Sequence, residues 1–467
     1  MSTRPKQKHE NQPRGMRGSR IAPARRAAFE ILRRVEDEGA FASVLLATGL
    51  DELSAQDRAL CYELVLGVLR WQLWLDHLIE YYARRSVESL DAPVCRALRL
   101  GLYQLRFLSR IPARAAVNEA VNLMRLAKLG SAASFVNAVL RRAAREPDYD
   151  PAANISDPHE RIARETSHPV WLIERWAKAF GDEEAESFAR ANKESPPTAF
   201  RLGTAGDDQL AILSELRAAG ASLEASRIAP DAWRVQGATH SLRQLAREGR
   251  IYLQDEASQL VAHALDAQAG ERVLDVCAAP GSKTTHIAAR TPDMQLLVAG
   301  DLYEHRLHTL LEASARTGGT NLIRAVALDA TAQLPLAAAS FDRVLVDAPC
   351  TGTGTLRRNP EIGLRITARD IADLSARQQR ILFTASRMVR PGGRLVYSTC
   401  SVEREENEEV LASFLDQNRG FEQLTPPVLA PFQSATGAAR TWPHREGADG
   451  FFISVFKRRS SEHKERD

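Results

Sequence analysis

At 467 residues, 44% hydrophobic and 26% charged, the chain has a globular composition and is too long for one ordinary core, so two or three domains are expected. No apolar run is long enough to span a bilayer, and the polar, basic start has no hydrophobic segment behind it to read as a secretory signal. Five cysteines (61, 95, 277, 350 and 400) form no Cys-x-x-Cys pair, which argues against a disulfide framework and a structural zinc site and predicts a metal-free protein of a reducing cytoplasm.

The formal net charge is +3, but residues 1–26 hold eight Lys and Arg against the single Glu10, so the rest of the chain is weakly acidic. Residues 1–20 read as a disordered basic arm, suited to a polyanion or equally to solubility. Residues 21–150 read as all-helical. Ala28, Ile31, Leu32 and Val35 repeat at helical spacing. Ser54 and Asp57 make a capping pair ahead of Cys61, Leu64, Val65 and Val68, and Leu98, Leu102 and Leu105 continue the pattern. Arg96, Arg99, Arg106, Arg110, Arg114, Arg125, Arg141 and Arg142 crowd the later helices, as an RNA-binding surface or as solvated faces. Ile111-Pro112, Val117-Asn118-Glu119-Ala120 and Phe135-Val136-Asn137-Ala138-Val139-Leu140-Arg141 resemble the NusB family of small helical RNA-binding antitermination factors, which implies an RNA-binding front domain.

Glu146-Pro147-Asp148 through Asp157-Pro158 is a turn-rich linker. Residues 159–250 read as a helical and α+β linker domain, with Trp171, Leu172 and Trp176 as anchors and Thr198–Leu202, Gln209–Ala219 and Trp233–Val235 as strand-like and helix-like pieces. The pattern changes to α/β alternation over 251–460. Apolar runs at Arg272–Val276, Gln295–Ala299, Ile323–Leu328, Arg343–Val346, Arg394–Tyr397 and Phe451–Phe456 read as strands, most of them separated by helices. This is a doubly wound, Rossmann-like α/β sheet.

Ligands of such sheets bind at the carboxyl ends of strands. The first strand runs into Cys277-Ala278-Ala279-Pro280-Gly281-Ser282-Lys283, whose small residues let a ligand approach the backbone. It is neither a Walker A loop nor Gly-x-Gly-x-x-Gly. The next two strands end at Asp301 and Asp329. With Asp275, these three acids in register suggest a nucleoside ligand, with Asp301 on the ribose and Asp329 near the adenine amino group. Two further runs each deliver a cysteine past a strand: Asp347-Ala348-Pro349-Cys350-Thr351-Gly352-Thr353-Gly354 and Tyr397-Ser398-Thr399-Cys400-Ser401-Val402. A thiolate that adds to C6 of a cytosine makes C5 nucleophilic enough to take a methyl group, which gives such thiols a chemical purpose. A helix over Val402–Gln417 would favour thiolate at Cys400, while Glu403, Glu405 and Glu406 would oppose it. Residue chemistry alone leaves the nucleophile open between Cys350 and Cys400. Cys61 and Cys95 read as packing residues.

The three motifs Cys-Ala-Ala-Pro-Gly-Ser-Lys-Thr, Asp-Ala-Pro-Cys-Thr-Gly-Thr-Gly and Tyr-Ser-Thr-Cys-Ser-Val together resemble the RNA 5-methylcytosine methyltransferases of the NOL/NOP2/Sun class. With the NusB-like front, the resemblance extends over residues 20–460 to the small-subunit ribosomal RNA enzymes of that class. It implies that Cys277 to Lys283 hold the methionine part of S-adenosylmethionine, Asp301 the ribose and Asp329 the adenine. It also implies that Asp347 lies near cytosine N3, that Cys400 attacks C6, that Cys350 assists product release and that Lys283 lies by the reacting base. Ser282 stands where the family usually has Gly, which matters only if that position needs positive φ. The implied partner is ribosomal RNA, naked or in early assembly, bound by a monomer. Arg357-Arg358 would hold the RNA backbone, while Arg365, Arg369, Arg377 and Arg380 read as a solvated helix face or as an extension of that surface. Rival readings are the same chemistry on transfer RNA or large-subunit RNA, a DNA cytosine methyltransferase that uses the Pro-Cys thiol, and a non-catalytic RNA-binding assembly factor.

Overall fold

The computed structural model describes residues 21–203, 209–318 and 322–460, so the expected basic arm over 1–20 lies outside the described residues. The described residues divide into two compact units, one within 21–68 and 75–150, the other within 69–74 and 151–460.

The first unit is helical. Its first helix, Pro23–Glu38, starts on a proline and stops at Gly39 in the left-handed region, and it buries Ala28, Ile31, Leu32 and Val35. Ser54 accepts from the Asp57 N–H at 3.1 Å and bonds the Asp57 carboxylate at 2.8 Å, capping the helix Ala55–Arg70. The central helix, Ala92–Phe107, is buried without a break from Val94 to Gln104, as expected of a helix wrapped by others. Arg96 and Arg99 are therefore internal: Arg96 pairs with Glu36 at 2.6 Å and Arg99 with Asp76 at 2.7 Å. Of the arginines suggested for RNA, Arg110, Arg114, Arg125 and Arg141 are exposed.

The second unit opens with three helices, Pro158–Glu165, Val170–Phe180 and Asp182–Ala191, which bury Leu172 and Trp176 and leave Trp171 partly covered. A four-stranded antiparallel sheet follows: β1 (Thr198–Leu202), β2 (Ser222–Ala225), β3 (Ala232–Gln236) and β4 (Ile251–Leu253), in the order β2-β3-β1-β4. The helices Gln209–Ala218 and Thr239–Arg247 close its core around Phe200, Leu216 and Leu245.

The large sheet is built from β5 (Arg272–Asp275), β6 (Leu296–Asp301), β7 (Ile323–Ala327), β8 (Phe341–Asp347), β9 (Val389–Thr399), β10 (Phe421–Leu424), β11 (Ala439–Thr441) and β12 (Phe451–Arg458). Its order is β10-β12-β9-β8-β5-β6-β7, with β11 beside β12. The strands β7, β6, β5, β8 and β9 run parallel, and β12 returns antiparallel to β9. Helices cover both faces: Glu256–Leu265 and Ser282–Arg290 on one, Ala368–Ser386 and Glu408–Gln417 on the other. The chain leaves β5 toward β6 and β7, then returns to place β8 on the other side of β5. That reversal opens a crevice at the carboxyl ends of the strands.

Candidate active site

A cavity of about 270 Å³ lies at that crevice. Five strand ends supply its lining: Cys277 and Ala279 after β5, Asp301 at the end of β6, Asp329 after β7, Asp347 and Cys350 at and after β8, and Cys400 after β9. The sequence-predicted acids and thiols thus meet in one place, because parallel strands deliver all their carboxyl ends to one edge.

The first loop is tightly held. Asp275 is buried, accepting from the Thr284 hydroxyl at 2.7 Å and the Cys277 N–H at 3.3 Å. Burial pushes its carboxyl up to about 7. The Ala278 N–H donates to Gly300 O at 2.8 Å, and the Ala279–Pro280 bond is cis. Gly281 sits at φ 106, and a Cβ there would lie 2.8 Å from the Leu310 side chain, so only glycine fits. Ser282 is the first residue of the helix Ser282–Arg290 and is not among the positive-φ residues, so its departure from glycine carries no backbone strain. Burial, then the nearby carboxylates, hold the Cys277 thiol well above its ordinary value, which suits a packing role.

Asp301 is buried and accepts from the Ala279 N–H at 3.3 Å and the Tyr303 N–H at 3.1 Å. Arg306 pairs with it at 3.2 Å and also donates to Ala279 O at 2.8 Å, tying acid and loop together. Asp329 is more open and accepts from Thr331, whose bonds lower its pKa.

Lys283 is buried, and its Nζ lies 2.6 Å from Asp347 Oδ2. Burial alone would lower the ammonium pKa, but the Asp347 charge outweighs it and the net shift is upward. The Ser398 hydroxyl donates to Asp347 Oδ1 at 2.8 Å, so both carboxylate oxygens are anchored. The Cys350 and Cys400 sulfurs are 3.4 Å apart. The hydrogen bond with Cys400, then burial, holds the Cys350 thiol well above its ordinary value. Gly354 makes this approach possible. Its N–H donates to Cys400 O at 2.9 Å, its carbonyl accepts from Gly450 at 2.8 Å, and a Cβ would stand 2.0 Å from Gly450 O.

Two sequence expectations are corrected. The helix after Cys400 begins at Glu408 rather than Val402, so its N-terminus stands eight residues past the thiol in the chain rather than two. Residues 404–407 instead form a turn; Glu403 just before it and Glu405 within it pair with Arg175, and Glu406 turns inward. Arg357 and Arg358 are engaged within the fold: Arg357 is buried against Asp449, and Arg358, still partly exposed, bonds Asp449 at 2.8 Å and Asp255 at 2.9 Å. Arg369 remains exposed with Asp373 at 3.6 Å, and Arg377 lines the cavity. Arg306, Ser398 and Glu406 were missed as site residues. Ser398 was discoverable as a buried hydroxyl two residues before the cysteine, and Arg306 as a cation five residues after Asp301, whereas Glu406 depends on Thr351, 55 residues before it.

No helix among the described residues is long and apolar enough to cross a membrane. Comparison with known proteins agrees with the three-part architecture. A family model described as 16S rRNA methyltransferase RsmB/F matches residues 262–457, the NusB family matches 22–145, and an RsmF/B-like ferredoxin-like domain matches 168–241. A probable ribosomal RNA small subunit methyltransferase B of Bacillus subtilis is 37% identical over 92% of this chain and 98% of its own length. The ribosomal RNA small subunit methyltransferase B of Pseudomonas syringae is 37% identical over 92% and 96%. Among solved structures, PH0851 superposes with a TM-score of 0.80 at 27% identity, over 93% of this chain and 98% of that one. The chain belongs to the RsmB/F family of 16S ribosomal RNA methyltransferases, built as a NusB domain, a ferredoxin-like domain and a methyltransferase domain.

Proposed function

We propose that the chain methylates C5 of a cytosine in 16S ribosomal RNA from S-adenosylmethionine, with Cys400 as the nucleophile. The observation that carries this reading is the pair of thiols 3.4 Å apart on the wall of a cavity that also holds three carboxylates.

The cavity residues fit a sulfonium nucleoside. Asp301 offers a fixed carboxylate to ribose hydroxyls, Asp329 an open one to the adenine amino group, and the Cys277-Ala278-Ala279-Pro280-Gly281-Ser282-Lys283 turn a close backbone approach for the methionine part. When bound, the cofactor supplies an electrophilic methyl group. Cys400 attacks C6 of the target base as thiolate, and the Cys350 S–H is placed to donate to it, because Cys350 holds its own proton strongly. Asp347, held between Lys283 and Ser398, lies near cytosine N3 and relays to it the proton that Lys283 Nζ donates, so N3 is protonated as C6 is attacked. Once C5 carries the methyl group its proton passes to solvent, the N3 proton returns through Asp347 to Lys283, Cys400 leaves C6 as thiolate and Cys350 assists release. A base stacked in a duplex hides C6, so the target must be unpaired or flipped out.

The test is methylation of unmodified 16S RNA by wild type, Cys400→Ala and Cys350→Ala, read as 5-methylcytosine and as covalent complex on denaturing gels. Expected are no product and no adduct from Cys400→Ala, and trapped RNA from Cys350→Ala. An adduct that forms in Cys400→Ala and not in Cys350→Ala would reverse the two roles. Wild type that binds RNA without making 5-methylcytosine would overturn the reading.

A further inference from the structure

The geometry points to Glu406 as the positioning residue that holds the two thiols in contact, an inference that rests on the two-thiol reading above. Glu406 is fully buried six residues past Cys400, yet it touches the segments of both cysteines. Its Oε1 accepts from the Thr351 N–H at 2.9 Å and from Gln378 Nε2 at 2.8 Å. Its Oε2 accepts from the Thr351 hydroxyl at 2.5 Å and from the Ser401 hydroxyl. Thr351 follows Cys350 and Ser401 follows Cys400. Gln378 also donates to Pro349 O at 2.9 Å, so the residues on both sides of Cys350 are held from one carboxylate. The Tyr397 hydroxyl fixes Glu406 from behind by donating to its carbonyl at 2.5 Å.

This arrangement solves a problem the sheet leaves open. The strands β8 and β9 are neighbours, but each thiol sits beyond its strand, where the ladder no longer sets the spacing. A side chain with four donors on two oxygens, out of water, sets it instead: without the carboxylate the Thr351 N–H loses its acceptor, and the hydroxyls and amide that tie both thiol segments lose their common partner. Glu406 reaches no lining position of the cavity, so it acts through Thr351 and Ser401 and not on the substrate.

The position rather than the charge is what the site needs. A glutamine can accept from the Thr351 N–H and Gln378, and can donate to the Thr351 or Ser401 hydroxyl, because hydroxyls also accept. An alanine removes all four bonds. The experiment compares full-length wild type, Glu406→Gln and Glu406→Ala in steady-state methylation. With Glu406→Ala, kcat falls about 100-fold, the cost of a roughly 1 Å misplacement, while KM for S-adenosylmethionine stays within about twofold. With Glu406→Gln, kcat stays within about fivefold of wild type.

A second measurement is independent of turnover. Phenylarsine oxide condenses with two adjacent thiols, forming two As–S bonds as its oxygen leaves with both thiol protons as water. Peptide mapping should find Cys350 and Cys400 bridged in wild type and Glu406→Gln, and singly reactive in Glu406→Ala. If Glu406→Ala keeps both kcat and the bridge, or if Glu406→Gln is as slow as Glu406→Ala with the bridge intact, positioning is overturned. If wild type makes no 5-methylcytosine but only Glu406→Ala loses the bridge, the catalytic reading fails and the positioning role stands. Should Glu406→Ala not fold, Ser401→Ala carries the test, with kcat down about tenfold at unchanged KM expected and an unchanged kcat overturning it.

Discussion

Replacing Gly354 with alanine should slow the enzyme without weakening its hold on the cofactor. The added Cβ would stand 2.0 Å from Gly450 O and 2.9 Å from Cys400 O. A methyl carbon and a carbonyl oxygen need about 3 Å, so the chain must move by about 1 Å, and it is bonded on one side to Cys400 and on the other to Gly450. Overpacking of this kind costs about 1–3 kcal/mol of stability. A 1 Å displacement of a reacting atom costs about 100-fold in rate, equivalent to about 2.7 kcal/mol on the barrier. Asp301 and Asp329 make no contact through Gly354, so cofactor affinity by calorimetry should be unchanged. The assay is transfer of a labelled methyl group to 16S RNA, with Gly363→Ala as control, since a Cβ there meets its nearest atom at an ordinary 3.5 Å. A Gly354→Ala enzyme within about threefold of wild type would refute the argument, because the thiol would then tolerate the displacement.

Two further expectations concern stability. The Asp275 carboxyl is pushed up to about 7 by burial, so the folded state holds its proton more tightly than the unfolded chain does. Its contribution is therefore complete below about pH 4 and is lost as pH rises through 7. In calorimetric melts, Asp275→Asn should flatten the decline of Tm between pH 5 and 8, and an unchanged slope would remove Asp275 as its source. Arg358→Met should lower Tm by leaving Asp255 and Asp449 buried without their shared partner, a loss of about 3–5 kcal/mol for a broken buried pair. If this variant instead keeps its Tm and loses RNA affinity in filter binding, Arg358 belongs to the RNA surface as the sequence alone suggested.

The sequence alone was most informative where function is carried by residues next to one another. The loop Cys277 to Lys283, the run Asp347 to Cys350 and the run Ser398 to Cys400 each report a strand followed by a polar turn, and apolar runs place those strands to within a few residues. The five parallel strands then force these turns to one edge, so much of the candidate site follows from alternation of helix and strand. The small sheet was less legible, because β2 and β4 are only four and three residues long and carry little periodicity, and β4 falls at 251–253, where the sequence reading already began the α/β domain. The helix over Val402–Gln417 was drawn too long because acidic residues suit a first helical turn, while Arg175, 228 residues before Glu403, draws that segment out of the helix. Arginine roles were the least legible of all. Arg96, Arg99, Arg357 and Arg358 look like phosphate contacts as letters, and the acids that neutralise them lie 23 to 103 residues away. What the sequence determined by itself is the chemistry on offer: two thiols and four acids at strand ends, and a lysine at the start of the helix after the first. What only the tertiary structure decided is which of these groups touch, that Lys283 neutralises Asp347 and that one buried glutamate binds both thiol segments, because burial and pairing depend on neighbours that chain order does not reveal.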